Sequence, residues 1–139
     1  MSRITQKSID ELSKTIIGCA IDVHKELGSG LLEKTYEKAL LMLLKEAGLN
    51  VESQIEVPIK FRGVQIDNAL RLDIIVNDLI IVEVKAVEKL LPIHESQILT
   101  YLKLLKKPKG ILINFYCTNI FYHGQKTFVT EEYSQLPKE

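Results

Sequence analysis

Residues 71–85 read RLDIIVNDLIIVEVK, and this stretch decides the fold. Two apolar runs of strand length flank a polar turn, which predicts an antiparallel hairpin. Charged residues interrupt both runs: Asp73 lies in the first, and Glu83 and Lys85 lie in the second. Burying a charge is costly unless it is paired or bound to a metal, so these three charges require a chemical explanation.

Two helices are predicted before the hairpin. Apolar residues recur at three- and four-residue steps over residues 8–28, which is typical of an amphipathic helix. Ser8 and Glu11 have the spacing of a capping box, and Gly28 is a typical stop signal. A second helix follows at about 31–47.

Strand patterns surround the hairpin. Residues 51–61 alternate between apolar and polar side chains, and Pro58 among them favours an edge position in the sheet. The pair Arg62-Gly63 predicts a turn into a short strand, VQI. After the hairpin, a helix begins at Pro92 and is long enough to cross over the sheet. The strands before and after this helix are therefore expected to be parallel.

The predicted order of elements is α-α-β-β-β-β-α-β-β, which indicates an α/β fold with a central mixed β-sheet flanked by helices. The length of 139 residues is enough for one hydrophobic core. We expect a single domain over residues 1–139, with a last hairpin around Gly124 and a loose tail at 130–139.

The composition limits the classes of partner. Lysine plus arginine and aspartate plus glutamate both number 18, so the formal net charge is zero and no global basic field attracts nucleic acid. A polyanion would need a local patch such as the segment KLLKKPKG at 103–110, although a solvated helix end is the simpler explanation of these lysines. No apolar run is long enough to span a bilayer, and the two cysteines lack zinc-like spacing. We therefore expect a cytoplasmic protein with no membrane partner.

The charged residues of the hairpin form a pattern that suits metal chemistry. Alternation along a strand places Glu83 and Lys85 on the same face, and with Asp73 they read D-x9-E-x-K. Two carboxylates on adjacent strands can hold Mg²⁺, which prefers oxygen ligands, and a nearby lysine can orient a bound water. A surface ion pair on a solvated sheet face explains the same residues, so the spacing alone leaves both alternatives open.

The register of the hairpin discriminates between these alternatives. If Asn77-Asp78 formed a strict two-residue turn, Asp73 would lie opposite Val82. A three-residue loop, or a bulge, would place Asp73 opposite Glu83 instead. The metal-site hypothesis requires the second geometry.

Further polar candidates lie on the predicted helices. Glu33 lies on the flank of the apolar stripe that contains Tyr36, where it can reach a cleft or simply face water. His94, Gln97 and Tyr101 are spaced i, i+3, i+7 and share one helical face. Such a stripe can anchor a phosphate backbone or a metal-bound water. A tyrosine at the edge of the core with two exposed polar neighbours explains it equally well.

The segment GLLEKTY resembles the motif that names the GxxExxY protein family, through Gly30, Glu33 and Tyr36. The segments RLDIIVNDLIIVEVKAVEKLLPIHESQILTYLKLL and GILINF resemble the rest of that family's pattern, so the resemblance runs over about residues 9–119. The family is similar to a small branch of the PD-(D/E)XK nuclease superfamily. The resemblance implies a restriction-endonuclease-like core and Mg²⁺-dependent hydrolysis of phosphodiester bonds.

The resemblance also implies a role for each candidate residue. By position, Asp73 and Glu83 would be the metal ligands, with Mg²⁺ as the cofactor and Mn²⁺ as a substitute, and Lys85 would be the catalytic lysine. The other catalytic candidates are Glu33, which matches the acid of the first core helix and would complete or hydrogen-bond the metal shell, and Gln97 and Tyr101, which match the Q-x-x-x-Y element of RecB-like nucleases.

The function expected from these residues is a metal-dependent nuclease that hydrolyses nucleic acid, DNA or RNA, by metal-activated water. Leu72 stands where the superfamily pattern has proline, a departure that the superfamily tolerates. The alternative is a nuclease-fold module that binds nucleic acid or a partner protein without cutting. A third alternative is a structural protein that forms a homo-oligomer through the segment ALLMLLKEAG or through an edge strand.

Overall fold

The computed structural model describes residues 3–139, and the side chains of all of these except 68 and 69. In this part of the chain, none of the helices combines the length and apolarity that a membrane span requires. The helices are α1 (Gln6–Leu27), α2 (Glu33–Glu46), α3 (Pro92–Leu105) and the short α4 (Glu131–Ser134), and Ile120–Gly124 forms a π-helical turn. The strands are β1 (Val51–Phe61), β2 (Val64–Val76), β3 (Ile80–Lys85), β4 (Lys109–Asn114) and β5 (Gln125–Val129).

The strands form one mixed sheet in the order β1-β2-β3-β4-β5. The β3–β4 pair is parallel and the other three pairs are antiparallel, because α3 crosses over the sheet between β3 and β4. This arrangement confirms the predicted α/β fold with a central mixed sheet, and it confirms the edge position of the strand that contains Pro58.

The region before α3 differs from the prediction in one respect. The segments VQI and RLDIIV were expected as two strands, but they belong to one continuous strand, β2. The chain between them stays extended because it keeps a partner, with Asp67 opposite Ile59 and Leu70 opposite Val57 on β1. Three strands, rather than four, therefore precede α3.

A hydrophobic core lies on each face of the sheet. One core packs α1 and α2 against β2, β3 and β4, with Tyr36, Leu40 and Phe115 among its fully buried residues. The other packs α3 against the opposite face, through Ile98 and Leu102. Alternating residues of β3 supply both cores, which explains why this strand is apolar on both sides.

The start of α1 differs from the predicted capping box. The N-cap residue is Thr5, whose hydroxyl accepts a hydrogen bond from the Ser8 N–H while the Ser8 hydroxyl accepts one from the Thr5 N–H. The helix therefore begins a turn earlier than the Ser8–Glu11 spacing indicated. Ser8 can serve as the second member of the box because its side chain reaches back as a glutamate would.

The C-terminal tail was expected to be loose and is instead bonded to α1. The carbonyls of Pro137 and Lys138 accept hydrogen bonds from the N–H groups of Gln6 and Lys7, at 2.8 and 3.0 Å. These N–H groups have no partner inside their own helix, so the tail supplies acceptors that the helix end lacks.

Gly110 determines how closely α3 lies against β4. A Cβ atom at this position would lie 2.9 Å from Leu102 Cδ1 and 3.0 Å from Ile98 Cδ1, and both side chains are fully buried. We expect Gly110→Ala to lower the free energy of unfolding by about 1–3 kcal/mol, measured by urea denaturation, because the buried side chains of Leu102 and Ile98 must shift to make room for the Cβ. Gly18→Ala is the matched control, since a Cβ there meets nothing within 4 Å; it should raise stability by about 0.5–1 kcal/mol. A Gly110→Ala protein as stable as the wild type would contradict this account of the packing.

Candidate metal and catalytic site

The backbone pairing between β2 and β3 ends at Ile74 and Val82. Beyond this pair, two carboxylates accept the hydrogen bonds that backbone carbonyls would accept in a continued ladder. The Asp73 N–H donates to Glu83 Oε2 at 2.8 Å, and the Val84 N–H donates to Asp73 Oδ2 at 2.9 Å. Each acid thus satisfies a backbone donor on the neighbouring strand. These crossed hydrogen bonds hold the two carboxylates side by side.

The turn explains why these two acids meet. Asn77 and Asp78 both have positive φ, and the Leu79 N–H donates to the Val76 carbonyl at 2.9 Å, as in a two-residue type I′ turn. Val76 nevertheless pairs with Ile80, so Leu79 is an extra residue on its strand, as in a bulge. This is the register that places Asp73 opposite Glu83, the geometry that the metal-site hypothesis requires.

The pleat of β2 is interrupted at Asp73. Strict alternation would place Leu72 and Ile74 on the same face, but Ile74 packs in the core under α1 and α2 and Leu72 packs in the core under α3. At the matching point of β1, Gln54 has a φ of 52° and interrupts that strand as well. The two faces of the sheet therefore exchange at Asp73, and residues from both faces can approach its carboxylate.

Burial perturbs both carboxyl groups. Glu83 is only 4% exposed, and removal from water raises its pKa from the usual 4.5 to about 8, with a further upward contribution from the Asp73 charge. Burial also raises the pKa of Asp73, while the Val84 N–H and the Lys85 charge act to lower it. Without a cation, the pair therefore retains a proton at neutral pH.

Lys85 lies at the end of β3, on the same face as Glu83, and its charge lowers the pKa of both carboxyl groups. Its carbonyl accepts a hydrogen bond from the Phe115 N–H at 2.8 Å. The next segment is fastened by Asn114, which exchanges hydrogen bonds of 3.1 and 2.9 Å with the backbone of Val87. The backbone of the lysine is thus fixed on both sides.

Glu33 is the first residue of α2, and its Oε1 accepts a hydrogen bond from the Ala86 N–H at 3.2 Å. Its charge raises the pKa of Asp73, so it lies near enough to act on the site electrostatically. Within the described residues, however, no three His, Cys, Asp or Glu side chains are grouped so that they could hold one metal ion. In this structure Glu33 fastens the chain after Lys85 and does not form a three-acid cluster.

Tyr36, the last residue of the GLLEKTY segment, is fully buried and stacks on Phe115 with ring centroids 4.4 Å apart. Its hydroxyl donates to the Gly28 carbonyl at 2.6 Å and accepts from the Leu31 N–H at 3.0 Å. The tyrosine therefore ties the α1–α2 connection to the core beside β4. This connection positions Glu33 at the start of α2.

Glu37 and Gln54 belong to the site but were missed from the sequence. The Gln54 amide donates to both carboxylate oxygens of Glu37 at 3.0 Å, and it also acts to lower the pKa of Asp73. Glu37 contributes to the raised pKa of Glu83. Its spacing of four residues from Glu33, one turn along the same helical face, is the signal that could have found it.

The polar residues on one face of α3, which are His94, Gln97 and Tyr101, do not share one role. Tyr101 is 4% exposed, its hydroxyl donates to the Arg71 carbonyl at 3.2 Å, and burial followed by the nearby acids raises its pKa. His94 Nδ1 accepts a hydrogen bond from the Leu91 N–H at 3.0 Å and so closes the start of α3. Gln97 is half-buried and, among the described residues, makes no hydrogen bond.

The chain matches a known protein family over a range that includes these residues. A family model described as the PD-(D/E)XK nuclease superfamily matches residues 10–126, most of the chain. The chain belongs to the PD-(D/E)XK nuclease superfamily. Searches of curated proteins and of solved structures found no match.

Membership of the PD-(D/E)XK superfamily confirms, at that level, the resemblance inferred from the sequence motifs. The range matched by the family model contains Asp73 and Glu83, which form the crossed hydrogen bonds, and the neighbouring Lys85. A nuclease-like function, with nucleic acid as the partner, follows from the superfamily.

The raised pKa of Glu83 predicts how the metal-free protein responds to pH. The folded state binds the proton more tightly than the unfolded chain, so stability should fall as the pH rises from about 4.5 to about 8. Glu83→Gln lacks this ionisation and should lose less stability over that interval. Thermal unfolding in a chelator across this pH range measures the difference, and parallel curves for the two proteins would show that the carboxyl group is not desolvated.

Proposed function

We propose that this protein is a divalent-metal-dependent nuclease whose metal ligands are Asp73 and Glu83. The observation that carries the proposal is the pair of crossed hydrogen bonds, which fixes two buried carboxylates side by side next to Lys85. A surface ion pair does not account for this arrangement, because Glu83 is 4% exposed and none of the ion pairs of the described residues involves it.

The donor set fits Mg²⁺. The available ligands are carboxylate oxygens, the type that hard cations prefer, and Mg²⁺ commonly uses one or two carboxylates together with waters and substrate phosphate. A cluster of three acids is therefore not required. The carboxyl of Glu83, with a pKa of about 8, gains most from a nearby cation because its ionised form is otherwise poorly solvated. Mn²⁺ should substitute, since it accepts the same ligands.

The residues around the pair would position the reacting groups. When bound, the metal would polarise a phosphoryl oxygen and acidify a water. The Lys85 ammonium would orient the attacking water and balance negative charge on the phosphate. Gln97 is a half-buried amide that can donate to a phosphate oxygen or to water. Glu33 and Tyr101 are better described as positioning residues, since each holds a backbone segment next to the site.

Metal binding can be tested directly. Calorimetric titration of Mn²⁺ should detect a site in the wild type that is lost in Asp73→Asn, because one of the two carboxylate ligands is removed. Asp22→Asn is the matched control, since Asp22 is exposed on α1, and it should bind as the wild type does. Binding retained by Asp73→Asn would contradict the proposed ligand assignment.

The chemical roles predict a loss of cleavage without a loss of fold. Glu83→Gln and Lys85→Ala should each reduce cleavage of DNA or RNA oligonucleotides by about 10²–10⁴-fold, because one removes a metal ligand and the other the charge beside it. Glu11→Gln and Lys45→Ala are the matched controls on exposed helix positions. Circular dichroism verifies that all four variants fold. If the wild type binds nucleic acid without cutting it, and Mg²⁺ and Glu83→Gln do not alter the affinity, the protein is instead a binding module of the same fold.

A further inference from the structure

The β1–β2 hairpin extends past the rest of the sheet. β1 and β2 contain 11 and 13 residues, whereas β3 contains 6 and its register with β2 covers only Ile74–Val76. On the way outward, Val57 and Leu70 still pack in the core under α3. Residues 58–67, which lie beyond these two, are called the arm below.

The arm presents an apolar strip to solvent. Nine of its ten residues are exposed, the exception being half-buried Ile59. Phe61, Val64 and Ile66 are 59%, 62% and 63% exposed. Phe61 lies opposite Val64, so these two side chains share one face of the ribbon, and Ile66 follows two residues further along, where the register of the two strands shifts. Exposure of three large apolar side chains in a row indicates a contact surface.

The charge at the end of the arm is positive. Lys60 and Arg62 flank Phe61, and the Arg62 guanidinium carbon lies 5.2 Å from the centroid of the Phe61 ring. Within the described residues neither cation forms an ion pair. The arm contains one acid, Asp67, which lies opposite Ile59 at the base.

We propose that the arm binds an unpaired segment of nucleic acid, with a base stacked on Phe61 and a phosphate at Arg62. An exposed aromatic ring beside a cation is the combination with which proteins bind single strands without sequence preference. The inference rests on the proposed function, since it assigns the arm to the substrate of that same site. The formal net charge of the chain is zero, so binding of a polyanion requires a local group of cations, and Lys60 and Arg62 of the arm form such a group.

A second copy of this chain is a poorer occupant. A specific protein interface buries about 800 Å² on each partner. The strip of three side chains is much smaller, and the two unpaired cations beside it would face each other in a symmetric pair. Nucleic acid suits both the small apolar area and the charge.

The position of the arm fixes the length of substrate that can use it. Asp73 and Val64 lie on the same strand, nine residues apart, which corresponds to about 30 Å of extended chain. A strand with stacked bases advances about 3.4 Å per nucleotide, so the arm would contact nucleic acid about nine nucleotides from the carboxylates. A shorter oligonucleotide bound at the carboxylates cannot reach Phe61.

The test is fluorescence anisotropy with labelled single-stranded DNA in EDTA, so that binding is measured without cleavage. With an oligonucleotide of about twenty nucleotides, Phe61→Ala should weaken binding by about 5- to 150-fold, the effect of losing one stacked base. Arg62→Ala should reduce the slope of log K against log salt by about 0.7, the value for one phosphate contact to a single strand. Neither variant should change the rate at which an oligonucleotide of about six nucleotides is cut in Mn²⁺, because a strand of that length held at the carboxylates is shorter than the estimated reach.

Met42→Ala and Lys14→Ala are the controls, because they remove an exposed apolar side chain and an exposed lysine from helices. Both should bind as the wild type does. Wild-type affinity in Phe61→Ala and Arg62→Ala would overturn the inference, as would an equal effect of Phe61→Ala on fully paired DNA or a dimer that Phe61→Ala dissociates in sedimentation. Cleavage by the wild type with Mn²⁺ is measured separately. If the wild type cuts but the arm variants bind normally, only the role of the arm is wrong; if the wild type does not cut, the nuclease proposal fails.

Discussion

The structure of the site depends on the crossed hydrogen bonds between Asp73 and Glu83. At this point β2 and β3 separate, and two backbone N–H groups would lose their partners inside a largely buried region. An unsatisfied buried donor costs about 1–3 kcal/mol, so the two carboxylates stabilise the end of the ladder while it fixes their positions. Replacing either acid with an apolar residue would therefore damage both the sheet and the site, whereas an isosteric amide retains the acceptor oxygen.

The exchange of sheet faces at Asp73 determines which elements can contribute to the site. α2 packs on one face and α3 on the other, yet Glu37 of α2 and Tyr101 of α3 are both electrostatically coupled to Glu83. A regular pleat would give the acid neighbours from one face only. The irregularity at Gln54 and Asp73 thus brings groups from both layers to one carboxylate pair, and the same irregularity turns the hairpin towards α3.

The sequence predicts the parts of the fold that depend on local periodicity. An apolar run of strand length identified β3, helical spacing identified α1 to α3, and a long crossover predicted the parallel pair. The register could be reduced only to two alternatives, because Asn77-Asp78 suits a two-residue turn and the deciding bulge at Leu79 has no local signature. Gln54 and Asn114 were missed for another reason: their roles depend on partners 17 and 27 residues away. The bonded C-terminal tail depends on the still more distant start of α1.

The charges around the site make the binding of a phosphate group there depend on the binding of the metal. Four acids, Glu33, Glu37, Asp73 and Glu83, lie close enough to act on one another electrostatically, so a phosphate group approaching the metal-free site meets net negative charge even when the Asp73–Glu83 pair holds one proton. A bound divalent cation would reverse the sign of this field at short range. Linkage then requires the reciprocal effect, in which a bound phosphate strengthens metal binding by the same factor. Under the proposed function, the carboxylates and the distant cations have complementary roles: the acids make hydrolysis conditional on the metal, and contacts outside the site retain the nucleic acid while the metal is absent.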